Sequence, residues 1–387
     1  LKAKKPPKKG VFLLNSMYLK HLSIINFKNY SEFEGQFSRK INCFVGNNGM
    51  GKTNLLDAIH YLSFCKSFFN SIDSQNIKHN EGFFVLQGNF DRSGELSEVY
   101  CGLKRNQKKI FKKNKKEYER LSEHIGQFPL VMISPSDAEL INGSSEVRRK
   151  FLDGIISQYD KVYLDKLISY IHVLKQRNAL LKQFYENRTF DSETLEIWDD
   201  QLINYGRSIL EIRQQFLKHF IPLFNRHYQF ISDSKEEVAL QYENSLGEKD
   251  FKTAIITSLA RDRAVHYTTV GPHKDDLDFT LNGFSLKKFA SQGQQKSYLL
   301  ALKLAQFEFI KEQKNTKPLL LLDDVYDKLD EERFTKLLEM VSGDDFGQVF
   351  ITDTHPERIE QLLNKKQIEN KIFIVGQGSA RLIEELK

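Results

Sequence analysis

Hydrophobic and polar positions alternate along Tyr18-Leu19-Lys20-His21-Leu22-Ser23-Ile24-Ile25-Asn26-Phe27, the period of a half-buried strand. Lys28-Asn29-Tyr30 interrupts that pattern as a turn, and residues 33–37 give a weaker second strand. The apolar run Ile41-Asn42-Cys43-Phe44-Val45 precedes a glycine-rich turn and then an amphipathic helical stretch over residues 54–62. Residues 83–90 and 98–103 read as paired strands around the turn Asp91-Arg92-Ser93-Gly94. Residues 128–133 form another strand, and Ser134-Pro135-Ser136-Asp137 opens a short helix with Ser136 as its predicted cap.

From about residue 144 the period changes to that of long helices. Leu164, Leu167, Ile168, Ile171 and Leu174 mark one apolar face, and Trp198, Leu202, Ile209, Ile212 and Phe216 mark another. Pro222 is the single proline inside this run, and no sustained heptads suggest a long coiled coil. Strand-like segments return at residues 238–242 and 268–270, followed by alternating strands and helices. The pattern predicts an α/β protein in which a compact helical lobe, residues 144–235, is inserted between residues 17–143 and residues 236–387.

Composition narrows the setting. A chain of 387 residues, 40% hydrophobic and 28% charged, can bury a large core. No apolar run approaches the roughly 20 residues of a membrane span. Cys43, Cys65 and Cys101 are too widely spaced for a zinc cluster or a disulfide framework, so a reduced, cytoplasmic setting is expected. The formal charge is +6, but residues 1–16 hold five lysines and no acids, leaving +1 for the remainder. That segment, with its Pro6-Pro7 pair, reads as a disordered extension outside the fold, and Met17 as a natural start. Basic character is local instead. Residues 104–120 carry nine Lys or Arg side chains, among them Lys108, Lys109, Lys112, Lys113, Lys115 and Lys116, against two glutamates. The stretch is compatible both with a solvated hairpin whose charges discourage edge pairing and with a contact surface for a nucleic-acid backbone.

The candidate chemistry begins at Gly46-Asn47-Asn48-Gly49-Met50-Gly51-Lys52-Thr53. A G-x-x-x-x-G-K-[ST] turn between strand and helix is a phosphate cradle. Its glycines let backbone N–H groups converge on anionic oxygens, and the helix adds its positive dipole end. Lys52 is placed to reach the β/γ-phosphates of ATP, and the Thr53 hydroxyl to ligate Mg²⁺. Four leucines ending in acids, Leu319-Leu320-Leu321-Leu322-Asp323-Asp324, put carboxylates where open α/β sheets bind ligands. Asp323 is the expected Mg²⁺ ligand, and Asp324 the group that orients or deprotonates the attacking water. Upstream, Phe289-Ala290-Ser291-Gln292-Gly293-Gln294-Gln295-Lys296 precedes a clear helix over residues 297–309, with small residues at its N-terminus.

That order of segments resembles the ABC-type ATPases, in which Ser291, Gly293 and Gln294 would contact nucleotide bound by a second subunit. Asp327-Lys328-Leu329-Asp330 resembles a D-loop, and His355 the switch histidine. With residues 18–30, Arg148-Arg149-Lys150-Phe151-Leu152-Asp153 and Gly271-Pro272-His273-Lys274-Asp275-Asp276, the chain resembles the RecF family of the SMC/Rad50-like class across residues 17–387. The resemblance implies a Rad50-like ABC-type P-loop ATPase head with a compact α-helical lobe. It also implies an ATP-joined homodimer that binds single-stranded, gapped or junction DNA and works with RecR and RecO. Recombinase loading, replication restart and SOS induction follow as expected roles. The chain departs from many ABC-type ATPases in having Asp324 rather than glutamate and Asp327 rather than serine, so a slow, DNA-stimulated ATPase is expected. Gln127 lies near the place of a Q-loop glutamine, but the matching strand end reads Ser134-Pro135-Ser136-Asp137. The alternative with the same ATP motifs is the nucleotide-binding subunit of an ABC transporter.

Overall fold

The structure is a computed structural model that describes residues 15–232, 236–325, 331–355, 357, 363 and 368–383. Residues 1–14 and the D-loop-like Asp327–Asp330 stretch lie outside the described residues. Asn15 already belongs to the fold: it forms a parallel bridge with Thr316, and the Ser16 carbonyl accepts from the Ser93 N–H.

Strands β1 (Met17–Phe27) and β2 (Tyr30–Gln36) form the predicted hairpin. After β3 (Ile41–Val45) and α1 (Lys52–Phe64), β4 (Phe83–Arg92), β5 (Glu95–Lys104), β6 (Ile110–Lys113) and β7 (Lys116–Glu117) extend that hairpin into a six-stranded sheet, ordered β2-β1-β4-β5-β6-β7 and antiparallel throughout. Strand β8 (Leu130–Ile133) leads into the short α2 (Glu139–Asn142), and then α3 (Ser145–Tyr159), α4 (Lys161–Asn187) and α5 (Ser192–Ser232) make the long helical run. A small sheet of β9 (Val238–Glu243), β10 (Asp276–Leu281) and β11 (Phe284–Ser285) surrounds α6 (Phe251–Val265) in sequence. The short α7 (Leu286–Phe289), α8 (Gln292–Lys314), β12 (Leu319–Leu322), α9 (Glu331–Ser342), β13 (Val349–Asp353), β14 (Asn370–Gly376) and β15 (Ser379–Leu382) complete the chain.

The central sheet has the order β15-β14-β3-β13-β12-β8, parallel except for the edge strand β15. It is buried on both faces, which explains its near-continuous hydrophobic strands. Leu319 and Leu321 of β12 join a core with Phe44, Phe350, α1 and the antiparallel sheet. Leu320 and Leu322 point the other way, into a core with α3, α4, α5 and α8. A strand that alternates between two cores needs an apolar side chain at every position. Each leucine contributes roughly 1.5–3 kcal/mol by leaving water.

Two local expectations need correction. The short helix after β8 is capped by Ser134, not Ser136: the Ser134 side chain and the Asp137 carboxylate form a reciprocal capping box. Proline at the first helical position places the cap immediately before it, at Ser134. Residues 268–270 are a loop rather than a strand, because the Thr268 hydroxyl accepts from Arg177 and donates to Asn178. The strand of that region is β10, which pairs with β9 from Asp276 to Leu281.

Candidate nucleotide site and its supports

The site lies at the carboxyl ends of β3, β13 and β12, adjacent strands in the parallel sheet. From β3 the chain enters the glycine loop, where Gly46, Gly49 and Gly51 take φ values of +149°, +79° and +109°. A side chain at Gly46 would strike the Val375 carbonyl, with its Cβ 2.3 Å from the oxygen. The loop therefore needs glycine both for its curvature and for its closeness to β14. Lys52 opens α1, and its Nζ donates to the Gly46 and Asn47 carbonyls at 2.6 and 3.0 Å.

Thr53 Oγ1 donates to Asp323 at 2.9 and 3.2 Å from its two carboxylate oxygens, joining the glycine loop to the end of β12. Burial raises the Asp323 pKa, while hydrogen bonds from Thr352 and Thr53 oppose the rise. Asp324 follows in the left-handed region at φ +51°, and its N–H donates to Thr352 Oγ1. Aspartate enters that region at smaller cost than most residues, which gives a backbone reason for aspartate where many ABC-type ATPases have glutamate. A cleft of about 200 Å³ is lined by Asn48, Gly49, Gly51–Asn54, Asp323, Asp324 and Thr352.

These residues fit a magnesium–nucleotide group. The hydroxyl of Thr53 and the carboxylate of Asp323 are hard oxygen donors that meet at one point, as Mg²⁺ requires. The strained glycines and the start of α1 present N–H groups to an anion.

Two supports were not legible as such. Thr352, on the strand between β3 and β12, donates to Asp323 Oδ1 at 2.9 Å while accepting from the Asp324 backbone N–H, so one hydroxyl holds the Asp323 carboxylate and the Asp324 backbone. The only sequence signal was a threonine at a strand end. The Lys28–Tyr30 turn buttresses the glycine loop from the other side. Asn29 donates to the Met50 carbonyl and accepts from Asn54, and Tyr30 donates to the Gly51 carbonyl. Lys28 pairs with buried Asp57 of α1 at 2.5 Å.

The other expected residues lie apart from this cleft. Ser291 is the exposed N-cap of α8, in a capping box where Gln294 accepts from the Ser291 N–H. Gln294 also donates to Glu236, so its side chain is committed within the chain. Neither Ser291 nor Gly293 lines the cleft over the glycine loop. Gln292 and Lys296 instead line a neighbouring cavity of about 330 Å³ that reaches Ser134 and Asp323. His355 is largely exposed; its backbone N–H donates to Asp353, and its ring lies 2.8 Å from Thr354 Oγ1.

In the basic stretch, Lys108, Lys115 and Lys116 are exposed. Lys109 is not available as expected for DNA: it pairs with Asp73 at 2.6 Å and donates to Tyr61 and to the Cys65 carbonyl. Lys112 and Lys113 are half-buried over the rings of Tyr100 and Phe128. Lys112 and Lys113 lie in β6, paired with β5, whereas Lys115 lies in the turn to β7 and Lys116 in the edge strand β7.

The RecF/RecN/SMC N terminal domain family matches residues 18–374. A DNA replication and repair protein RecF from Flavobacterium johnsoniae is 53% identical over 357 residues, 92% of this chain and 99% of that protein. The solved structure of the recombination mediator protein RecF with ATP in the RecFOR pathway is 32% identical, with a TM-score of 0.88 over 97% of this chain and 100% of the other. An Smc head domain from Pyrococcus furiosus, 16% identical with a TM-score of 0.55, shares the fold alone. These relatives do not favour the transporter reading.

Proposed function

This chain belongs to the RecF family, and from that premise we propose that it is an ATP-gated DNA-binding protein of recombinational repair. The observation that carries the proposal is the division of the nucleotide machinery. Lys52, Thr53, Asp323 and Asp324 share one cleft, whereas Ser291 and Gly293 stand outside it on an exposed helix start. A helix N-terminus of that kind suits a phosphate presented by a second copy of the chain.

In this reading Lys52 exchanges its loop carbonyls for the β/γ-phosphate oxygens of ATP. Thr53 and Asp323 hold Mg²⁺, which neutralises developing charge on the phosphates when bound. Asp324, whose backbone N–H is held by Thr352, would accept the proton of the attacking water, and His355 would act as the switch histidine towards the γ-phosphate. Aspartate reaches one methylene less far than glutamate, so hydrolysis is slow and serves to reset the dimer.

ATP is thus a ligand that favours the dimer over the monomer. The dimer holds single-stranded, gapped or junction DNA, and Lys108, Lys112, Lys113, Lys115 and Lys116 contribute backbone contacts. RecR and RecO are the protein partners, and recombinase loading, replication restart and SOS induction are the roles. The setting is the cytoplasm; among the described residues no helix is long and apolar enough to cross a membrane.

The experiment is sedimentation and DNA binding with and without ATP and Mg²⁺, on gapped, single-stranded and duplex DNA. The proposal expects ATP-dependent dimers with raised affinity for gapped DNA. Identical sedimentation with and without ATP would remove it. Replacing Asp324 with asparagine is expected to prolong the ATP-bound dimer; rapid dissociation of that variant in ATP would reject the base assignment.

A further inference from the structure

At the end of the helical lobe, the α4–α5 turn and the last turns of α6 enclose a groove of about 880 Å³. Its walls include Phe184, Tyr185, Arg188, Phe190 and Arg263. Phe190 and Tyr185 of the groove, and Tyr267 just after the end of α6, each lie against a cationic or imidazole group. Arg263 lies 4.0 Å from the centre of the Phe190 ring. His266, the residue that ends α6, lies 3.8 Å from Tyr185, centre to centre. Lys274 lies 4.7 Å from the centre of the Tyr267 ring. The three aromatic members remain 37%, 64% and 45% exposed in that order.

A ring that serves only the core is covered on both faces, and these are not. Aromatic residues at this exposure are unfavourable for a solvated lobe end unless something covers them. Cations outnumber acids around them. Arg188, Arg261, Arg263 and Lys274 are exposed cations. Glu186 of the groove is paired with Lys182, and Asp191 is consumed by hydrogen bonds from Glu193 and Thr194 at the start of α5. Lys274 titrates below its ordinary range, first because of burial and then through repulsion from Arg149 and, more weakly, Arg261, with Asp262 opposing the fall. Arg149 is anchored beside it by donation to the Asp275 carbonyl. Exposed cations next to half-exposed aromatic rings match a polymer that offers phosphates and flat bases together.

We propose that this groove and the adjoining end of α6 bind single-stranded nucleic acid, with Tyr185, Phe190 and the neighbouring Tyr267 as stacking platforms and Arg188, Arg263 and Lys274 on the backbone. It goes beyond the function proposed above, which places DNA on the basic hairpin of the ATPase head. It also gives a use to Lys274, a motif residue that lines none of the nucleotide cleft. Duplex DNA is excluded from the platforms because its bases are already stacked on each other.

The test measures binding of the full chain to a labelled oligo-dT strand and to a labelled duplex across a salt series. The double variant Tyr185→Ala/Tyr267→Ala is expected to weaken oligo-dT binding at least about tenfold, since alanine substitution removes base stacking. Duplex binding and ATP binding stay unchanged. Tyr185→Phe/Tyr267→Phe, which keeps both ring faces, is expected to restore oligo-dT affinity. Arg263→Gln/Lys274→Gln is expected to lower the salt slope on oligo-dT by about 0.7 for each phosphate no longer neutralised. Unchanged oligo-dT binding in the alanine variant would overturn the proposal and leave the groove to a protein partner. Equal losses on oligo-dT and duplex would also overturn it. If these variants lose only single-strand binding while ATP fails to dimerise the wild type, this inference stands and the ATP-gated reading falls.

Discussion

At the scale of single residues, the account turns on side chains that hold other side chains. Lys52→Ala is expected to abolish nucleotide binding, read by calorimetric titration; heat of binding equal to the wild type would contradict its place in the cleft. Thr352→Val keeps the shape of threonine but removes the hydroxyl that holds the Asp323 carboxylate and the Asp324 backbone. It is expected to slow hydrolysis by about 10–100-fold with little change in ATP affinity, because orientation rather than binding is lost. Buried histidines make a separate prediction. His60, His124 and His273 have pKa values lowered to about 4, in each case chiefly by burial. The unfolded chain protonates near 6.5. Their folded values lie below that, so the stability they confer is fully present above about pH 6.5 and is lost as pH falls towards 4. Each contributes a slope of at most about 1.4 kcal/mol per pH unit in that window. Urea midpoints measured from about pH 7 to about pH 5 are expected to fall, and a flat profile would show that these rings are accessible.

At the scale of elements, the two motifs that most specifically suggested the family tie α3 and α5 to the loop and strand at β10. Arg148 of α3 makes a two-pronged bond to Asp276 at the start of β10, at 2.6 and 2.8 Å. Arg213 of α5, 1% exposed, donates to Asp153 of α3 and to the Pro272 carbonyl. Removing one partner of a buried pair leaves the other charge stranded, so Arg213→Ala is expected to cost about 3–5 kcal/mol in urea unfolding. A loss below about 1 kcal/mol would mean that water replaces it. The start of α8 allows a cleaner separation. Ser291 is exposed, and losing its cap costs only about 0.5–2 kcal/mol, too little to unfold a domain of this size.

Much of this organisation was legible in the sequence because periodicity and turn chemistry are local. The first hairpin, the glycine loop and the buried leucine strand were each carried by adjacent residues. The bond from Thr53 to Asp323, which spans 270 positions, was legible only as an expectation about a shared metal. What stayed hidden depends on tertiary placement. Thr352 gains its role from lying on the strand between β3 and β12, and Lys109 loses its role because Asp73 lies behind it. Residues 268–270 look like a strand, but a buried arginine claims the Thr268 hydroxyl.

At the scale of the whole molecule, one parallel sheet faces two cores and carries the nucleotide machinery on its carboxyl edge. The helical lobe packs on one face and the antiparallel sheet with its basic hairpin on the other. In the proposed reading one half of the ATP site is the cleft over the glycine loop and the other half is the start of α8 of a second copy. Sedimentation velocity of the wild type and of Ser291→Arg, each with and without ATP and Mg²⁺, measures that claim directly. The account predicts a dimer for the wild type only when ATP is present, and a monomer for Ser291→Arg that still binds ATP. A variant that dimerises with ATP like the wild type, or a wild type that stays monomeric in ATP, would contradict it.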